Sequence, residues 1–229
     1  MTTWSILLYG IPGVGKSTLA THAPAPYFLD LENGLKRVNC NKSPRLATYE
    51  AVLDELRGFL KSEHQTVVLD SIDKLDEIFA GRVVAEWNRS NKPAKTVSDV
   101  PYGRGGDMMV SEWRAFVDVL DKIGDAGKNV FLIGHEQIVS FKNPADADFD
   151  FYTVNVHKKA APIIIAKMDA VFFAHFETIV KDKDKGKGKA STTGERILET
   201  QQGASWVAKS RFELEPAVPM TAELFTQII

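Results

Sequence analysis

One stretch constrains this chain more than any other: Gly10-Ile11-Pro12-Gly13-Val14-Gly15-Lys16-Ser17. It reads G-x-x-x-x-G-K-S, the pattern of a phosphate-binding loop. An apolar run, Trp4 to Tyr9, precedes it, and a helical segment from Lys16 to about His22 follows. That strand–loop–helix setting is the context the motif needs. Glycines let successive backbone N–H groups point inward around a polyphosphate. The helix start adds free amides and a partial positive charge. Gly10, Pro12, Gly13, Val14, Gly15, Lys16, Ser17 and Thr18 are therefore the expected nucleotide-binding residues. Lys16 supplies a cation for the β- and γ-phosphates, and Ser17 an oxygen for Mg²⁺, so ATP and Mg²⁺ are the expected ligands.

Downstream, hydrophobic runs alternate with helical patterns. Tyr27–Leu31 and Thr66–Leu69 read as strands, as does Asn129–Ile133. Val52, Leu53, Leu56, Phe59 and Leu60 form one helical face. Ile72, Leu75, Phe79 and Val83 form a second; Trp113, Phe116, Val117, Leu120 and Ile123 form a third, ending near Gly124 or Gly127. This alternation predicts an α/β fold with a mostly parallel sheet covered on both faces. The last third differs. Ala170–Phe176, Arg196–Thr200 and Ser205–Lys209 read as shorter strands, an antiparallel extension of the sheet, with a closing helix at 222–229. The expectation is a single domain over 1–229, with mobile loops at about 88–107, 137–160 and 181–194. The lysine-rich third loop reads as a solvated hairpin tip in preference to a nucleic-acid contact.

The bulk numbers exclude several classes. Among 229 residues, 44% are hydrophobic and 25% charged, ordinary for a globular protein. No apolar run approaches the ~18 residues of a membrane span. The one cysteine, Cys40, allows no internal disulfide, which fits a cytoplasmic location. A net charge of −2 announces no nucleic-acid partner, so any such contact needs a local basic surface.

Two further segments carry chemistry. Thr66-Val67-Val68-Leu69-Asp70-Ser71 is an apolar strand ending in a carboxylate, the form that holds Mg²⁺ through water opposite a phosphate loop. Tyr27-Phe28-Leu29-Asp30-Leu31-Glu32 places another acid just past a strand end, where α/β sheets gather ligand chemistry. Glu32 is the expected orienter of the attacking water, and Asp30 a structural acid.

With these motifs the chain resembles the RecA-type ATPase core. The resemblance implies a catalytic glutamate in the Asp30-Leu31-Glu32 context and a serine after the metal-site aspartate, as in Asp70-Ser71. It implies a polar γ-phosphate sensor at the end of the next core strand, which Val130–Glu136 would supply through His135, although the family commonly has Asn-Gln there. Ala208-Lys209-Ser210-Arg211 is similar to the K-x-R pair that hexameric helicases of the superfamily extend into a neighbour's ATP site. Lys209 and Arg211 are thus expected to act in trans in a homo-oligomer, ring or filament. The order of short matches looks most like compact, phage-encoded RecA-like ATPases linked to single-strand annealing and recombination, which would place the protein in a host cytoplasm.

The resemblance also implies two loops contacting single-stranded DNA. The first, 88–107, holds Arg89, Lys92, Lys95, Tyr102 and Arg104; the second, 137–160, holds Lys142, His157, Lys158, Lys159 and the aromatics Phe141, Phe149, Phe151 and Tyr152, with Asp146, Asp148 and Asp150 opposing. Two other classes remain open: a nucleotide-switched protein-interaction ATPase without DNA, and a P-loop small-molecule kinase with 82–104 as its lid.

Overall fold

Thr66–Asp70 is buried along its whole length, as a strand covered on both faces must be. It is the third strand of a computed structural model that describes residues 3–142, 148–181 and 189–228. In chain order the elements are β1 (Ser5–Gly10), α1 (Lys16–Ala20), β2 (Pro26–Asp30), α2 (Tyr49–Leu60), β3 (Thr66–Asp70), α3 (Ile72–Asn88) and α4 (Arg104–Asp125). There follow β4 (Asn129–Phe141), β5 (Phe149–Val154), α5 (Ala161–Lys167), β6 (Ala170–Lys181), β7 (Lys189–Glu199), β8 (Lys209–Ser210), β9 (Ala217–Pro219) and α6 (Leu224–Ile228).

The sheet runs β2-β3-β4-β1-β6-β7-β9, with β5 added to β4 and β8 to β6. Neighbours among β2, β3, β4, β1 and β6 are parallel, whereas β5, β7, β8 and β9 pair antiparallel. The expected antiparallel extension is therefore present. Strand alternation sorts the core into two layers. Leu7, Leu29, Val67, Leu69 and Leu132 face the helices α2 to α5, while Leu8, Phe28, Val68 and Phe131 face α1 and α6. Each fully buried side chain of this size stabilises the fold by about 1.5–3 kcal/mol relative to exposure.

Helices α3 and α4 run parallel: Trp113 Nε1 donates to Asp76 Oδ1 at 2.7 Å, and three residues on, Phe79 and Phe116 meet with ring centres 6.0 Å apart. Two parallel helices need a connector that travels back along them. That is why the segment after α3 is long: it returns the chain to the carboxyl end of the strands, where α4 starts. Most of the expected 88–107 loop is this connector, with two 3₁₀ turns (Val97–Asp99 and Pro101–Gly103).

Three expectations need correction. Region 137–160 is not a loop but largely a hairpin: β4 continues to Phe141 and pairs with β5 in register from Glu136↔Val154 to Phe141↔Phe149. The short helix α5 was not foreseen. Ser205–Lys209 forms no regular strand; Trp206 makes an isolated bridge to Tyr152, and β8 starts only at Lys209. Of the expected 181–194 loop, the ends pair as Lys181↔Lys189 and 182–188 lie outside the described residues, as does Asp146 in the hairpin.

Candidate active site

The phosphate loop joins β1 to α1, and its backbone explains its glycines. Gly10 has φ 152°, and a Cβ there would lie 2.0 Å from the Ala174 carbonyl oxygen of β6. Gly15 has φ 102° and forms the entry to α1. Lys16 is buried, and its ammonium donates to the carbonyls of Gly10 and Ile11 at 2.7 and 2.9 Å. Burial pushes its pKa down, while the carboxylates of Glu136, Asp73, Asp70 and Glu32 oppose that shift.

Because β4 lies between β1 and β3, the ends of three strands converge beside this loop. Ser17 Oγ donates to Asp70 Oδ2 at 2.5 Å, so the hydroxyl and carboxylate expected to share a magnesium ion already meet. Asp70 is pushed up to about 6, first by burial and then by the negative charge of Glu32 and Asp30, with the Ser17 hydrogen bond and Lys16 opposing. An acid held this unfavourably is one that a divalent cation would stabilise in its ionised form. A hydroxyl, a carboxylate and a cradle of glycine amides fit magnesium-bound nucleotide.

Glu32 sits on the turn after β2. Asp30 shapes that turn, accepting the Asn33 amide at 2.6 Å while Asn33 takes a left-handed φ of 64°. Asp30 has the structural geometry expected of it. Ser71 stands at the N-cap of α3, where a serine would ordinarily bond the helix amides. Its hydroxyl instead donates to Glu32 Oε1. His135, at the end of the parallel part of β4, contacts Asp73 Oδ2 through Nδ1 at 3.0 Å, and its backbone amide bonds the same carboxylate. A carboxylate only accepts, so the ring proton is on Nδ1 and Nε2 is left for another partner. That hydrogen bond raises the imidazole's pKa, with burial and Lys16 acting against it. Glu32 lies 3.8 Å from the same Nδ1.

Lys16, Ser17, Thr18, Glu32, Asp70 and His135 together line one cavity of about 330 Å³ with Gly13 and Gly15. Lys209 and Arg211 do not join them. β8 pairs with the opening residues of β6, Ala170 and Val171, at the end of the sheet away from the phosphate loop. There Lys209 donates to the Ala166 carbonyl at 3.0 Å, and Arg211 to Asp169 at 2.8 Å. Neither can serve its own chain's nucleotide.

Two further residues lie beside the site. Glu136 follows His135 and has a buried Oε2 without a hydrogen-bond partner. Arg196, on β7, lies against Gly15. Only the strand register brings it there.

Residues 2–212 match the profile of a family described as AAA domain. No curated protein matches the chain. Among solved structures, the flagellar accessory protein FlaH from Methanocaldococcus jannaschii is similar at 11% identity and a TM-score of 0.41, over 94% of this chain and 88% of that one. The profile spans most of the chain and includes the phosphate loop, Asp70 and the strands that position them: this protein belongs to the AAA domain family and is a P-loop ATPase.

Proposed function

We propose that this ATPase is driven by single-stranded DNA and serves recombination or annealing, working as an oligomer in the manner of the compact phage-encoded enzymes it resembles. In this reading the γ-phosphate lies among Lys16, Glu32 and His135. Glu32, held by the Ser71 hydroxyl, orients water for in-line attack and takes up its proton. Lys16 leaves the Gly10 and Ile11 carbonyls to meet the phosphates. Ser17 and Asp70 would hold Mg²⁺, which neutralises developing phosphate charge. His135 presents Nε2 toward the transferred group and reports it along β4 to the hairpin. Lys209 and Arg211 complete the site of the adjacent subunit, a contribution of about 10³–10⁵ in rate for an arginine supplied in trans.

The observation that carries the DNA assignment is the surface beyond the same strand ends. Tyr102 is 95% exposed and held at φ 58°, at the start of α4. Lys159, from the segment after β5, packs against Gly103 and Gly106 and pairs with Asp107 at 2.6 Å. The two expected DNA-contacting regions therefore meet, with Arg104 exposed two residues from the tyrosine and Lys158 exposed next to Lys159 in the chain. Exposed aromatic surface flanked by cations suits stacked bases and a phosphate backbone.

ATP turnover measured with and without single-stranded DNA, alongside the mass of the assembly, tests this. Stimulation by DNA and a multimeric mass are expected; unchanged turnover in a protein that fails to bind labelled strands at low salt would discard the DNA reading. One feature favours a protein partner instead. Ile138 and Phe149 are both exposed on the β4–β5 hairpin, Ile138 on the face it shares with Asp150 and Phe149 on the opposite face, apolar surface of the kind a protein partner covers.

A further inference from the structure

Arg196 stands two strands from the phosphate loop in the sheet order, yet touches it. Gly10 pairs with Ala174 of β6, and Ala174 with Leu198 of β7; two residues away, Arg196 pairs with Phe176. Alternation puts Arg196 on the face shared by Ala174 and Leu198, which is the α1 face. A Cβ built on Gly15 would lie 2.9 Å from Arg196 Nη1 and 3.5 Å from Cζ. The guanidinium thus lies directly over the last glycine of the loop. It is exposed, and among the described residues no carboxylate pairs with it.

In a loop of this pattern the backbone amides cradle the α- and β-phosphates, while the lysine reaches the β- and γ-phosphates. A cation over Gly15 therefore addresses the end of the triphosphate that Lys16 serves least. A guanidinium offers a planar fork that matches phosphate oxygens and never loses its charge. We infer that Arg196 is a nucleotide-binding residue that donates to the α- and β-phosphates from within the same chain. It holds ATP and the product ADP alike. The inference rests on the ATPase assignment and is independent of DNA and of oligomer formation.

The test is binding by calorimetry with Mg²⁺, without DNA, for Arg196→Ala and Arg196→Lys against the unaltered protein. The ligands are ATP, ADP and inorganic tripolyphosphate, the last measured by displacement of bound ADP where its own heat is small. Arg196→Ala should weaken all three by a similar factor, about tenfold, the scale of a hydrogen bond to a charged group. Arg196→Lys should recover part of it. The unliganded melting temperature should stay within a degree or so, since the side chain is exposed. A loss for ATP and ADP but not tripolyphosphate would show that the guanidinium stacks on the base, and would overturn the proposal. So would a loss confined to ATP, or unchanged binding of all three. Failure of DNA to stimulate turnover would leave these affinities untouched, so the two readings fail separately.

Discussion

The Ser71 hydroxyl donates to Glu32 Oε1, tying the acid after β2 to the residue after the buried aspartate of β3. Ser71, at the N-cap of α3, makes no side-chain cap, and its hydroxyl proton is directed to Glu32. Glu32→Gln keeps the shape and removes the base. It should retain ATP binding while steady-state turnover falls about 10²–10⁴-fold, the usual worth of a positioned base. Ser71→Ala should lower kcat several-fold with little change in KM. Normal turnover in Glu32→Gln would remove that residue from the mechanism.

Ser17 and Asp70 meet at 2.5 Å. If they share Mg²⁺, with Asp70 acting through bound water, then Asp70→Asn should raise the Mg²⁺ concentration for half-maximal turnover by about 10–100-fold. Removing magnesium with a chelator should abolish turnover and return it on re-addition. A magnesium titration of both proteins checks this, and superimposable curves would count against Asp70.

His135 gives a pH prediction whose sign follows from its partner. Its hydrogen bond to Asp73 raises the folded pKa above the ordinary 6.5. The folded state therefore binds the proton more tightly than the unfolded chain does. The stability this contributes is fully present below pH 6.5 and is lost as pH rises through the raised value. Melting temperatures of the unaltered protein and His135→Gln, taken from pH 5.5 to 9, should differ most at the acid end and converge toward the alkaline end. A gap that widens with pH would mean that the imidazole is not held as a cation.

What could be read in advance follows from how local each signal is. The phosphate loop, Asp70 and Glu32 lie within a few residues of strand ends, so motif and apolar run together located them. The helices with a regular apolar stripe, α2 to α4, were equally legible. The β4–β5 hairpin was not. Its aspartates and lysine mark a polar loop, although Gln137-Ile138-Val139-Ser140-Phe141 holds strand-forming residues. α5 was missed because Ile163-Ile164-Ile165 is β-branched and the helix has only seven residues. Arg196 was invisible for a different reason. Its place over Gly15 depends on the register of two strand pairs, and no spacing in the chain encodes that.

Buried aromatics carry a separate prediction. Trp113 is fully buried, edge-on to Phe79 and Phe116, and bonded through its ring nitrogen to Asp76. Asp76 also accepts the His157 amide at 3.1 Å, so this carboxylate ties α3 to α4 through the tryptophan and to the segment after β5. Trp113→Phe should destabilise the fold by about 1–3 kcal/mol, from the cavity and the hydrogen bond left unmade on Asp76. Chemical denaturation reads this directly, and a change under half that size would mean the aromatic cluster repacks.

Tyr102 separates two sources of DNA affinity. Stacking on a base is worth about 1–3 kcal/mol and involves no counterion, whereas each phosphate contact releases one. Tyr102→Ala should therefore weaken single-strand binding about 5–150-fold at every salt concentration, leaving the slope of affinity against salt unchanged. Arg104→Ala and Lys158→Ala should do the opposite: a smaller loss at moderate salt, and a slope reduced by about 0.7 for each phosphate released from a single strand. Anisotropy titrations of a labelled oligonucleotide at three or four salt concentrations resolve both quantities. If Tyr102→Ala binds as tightly as the unaltered protein, this exposed ring belongs to a protein contact instead, and the surface at the start of α4 is where a partner subunit should be sought.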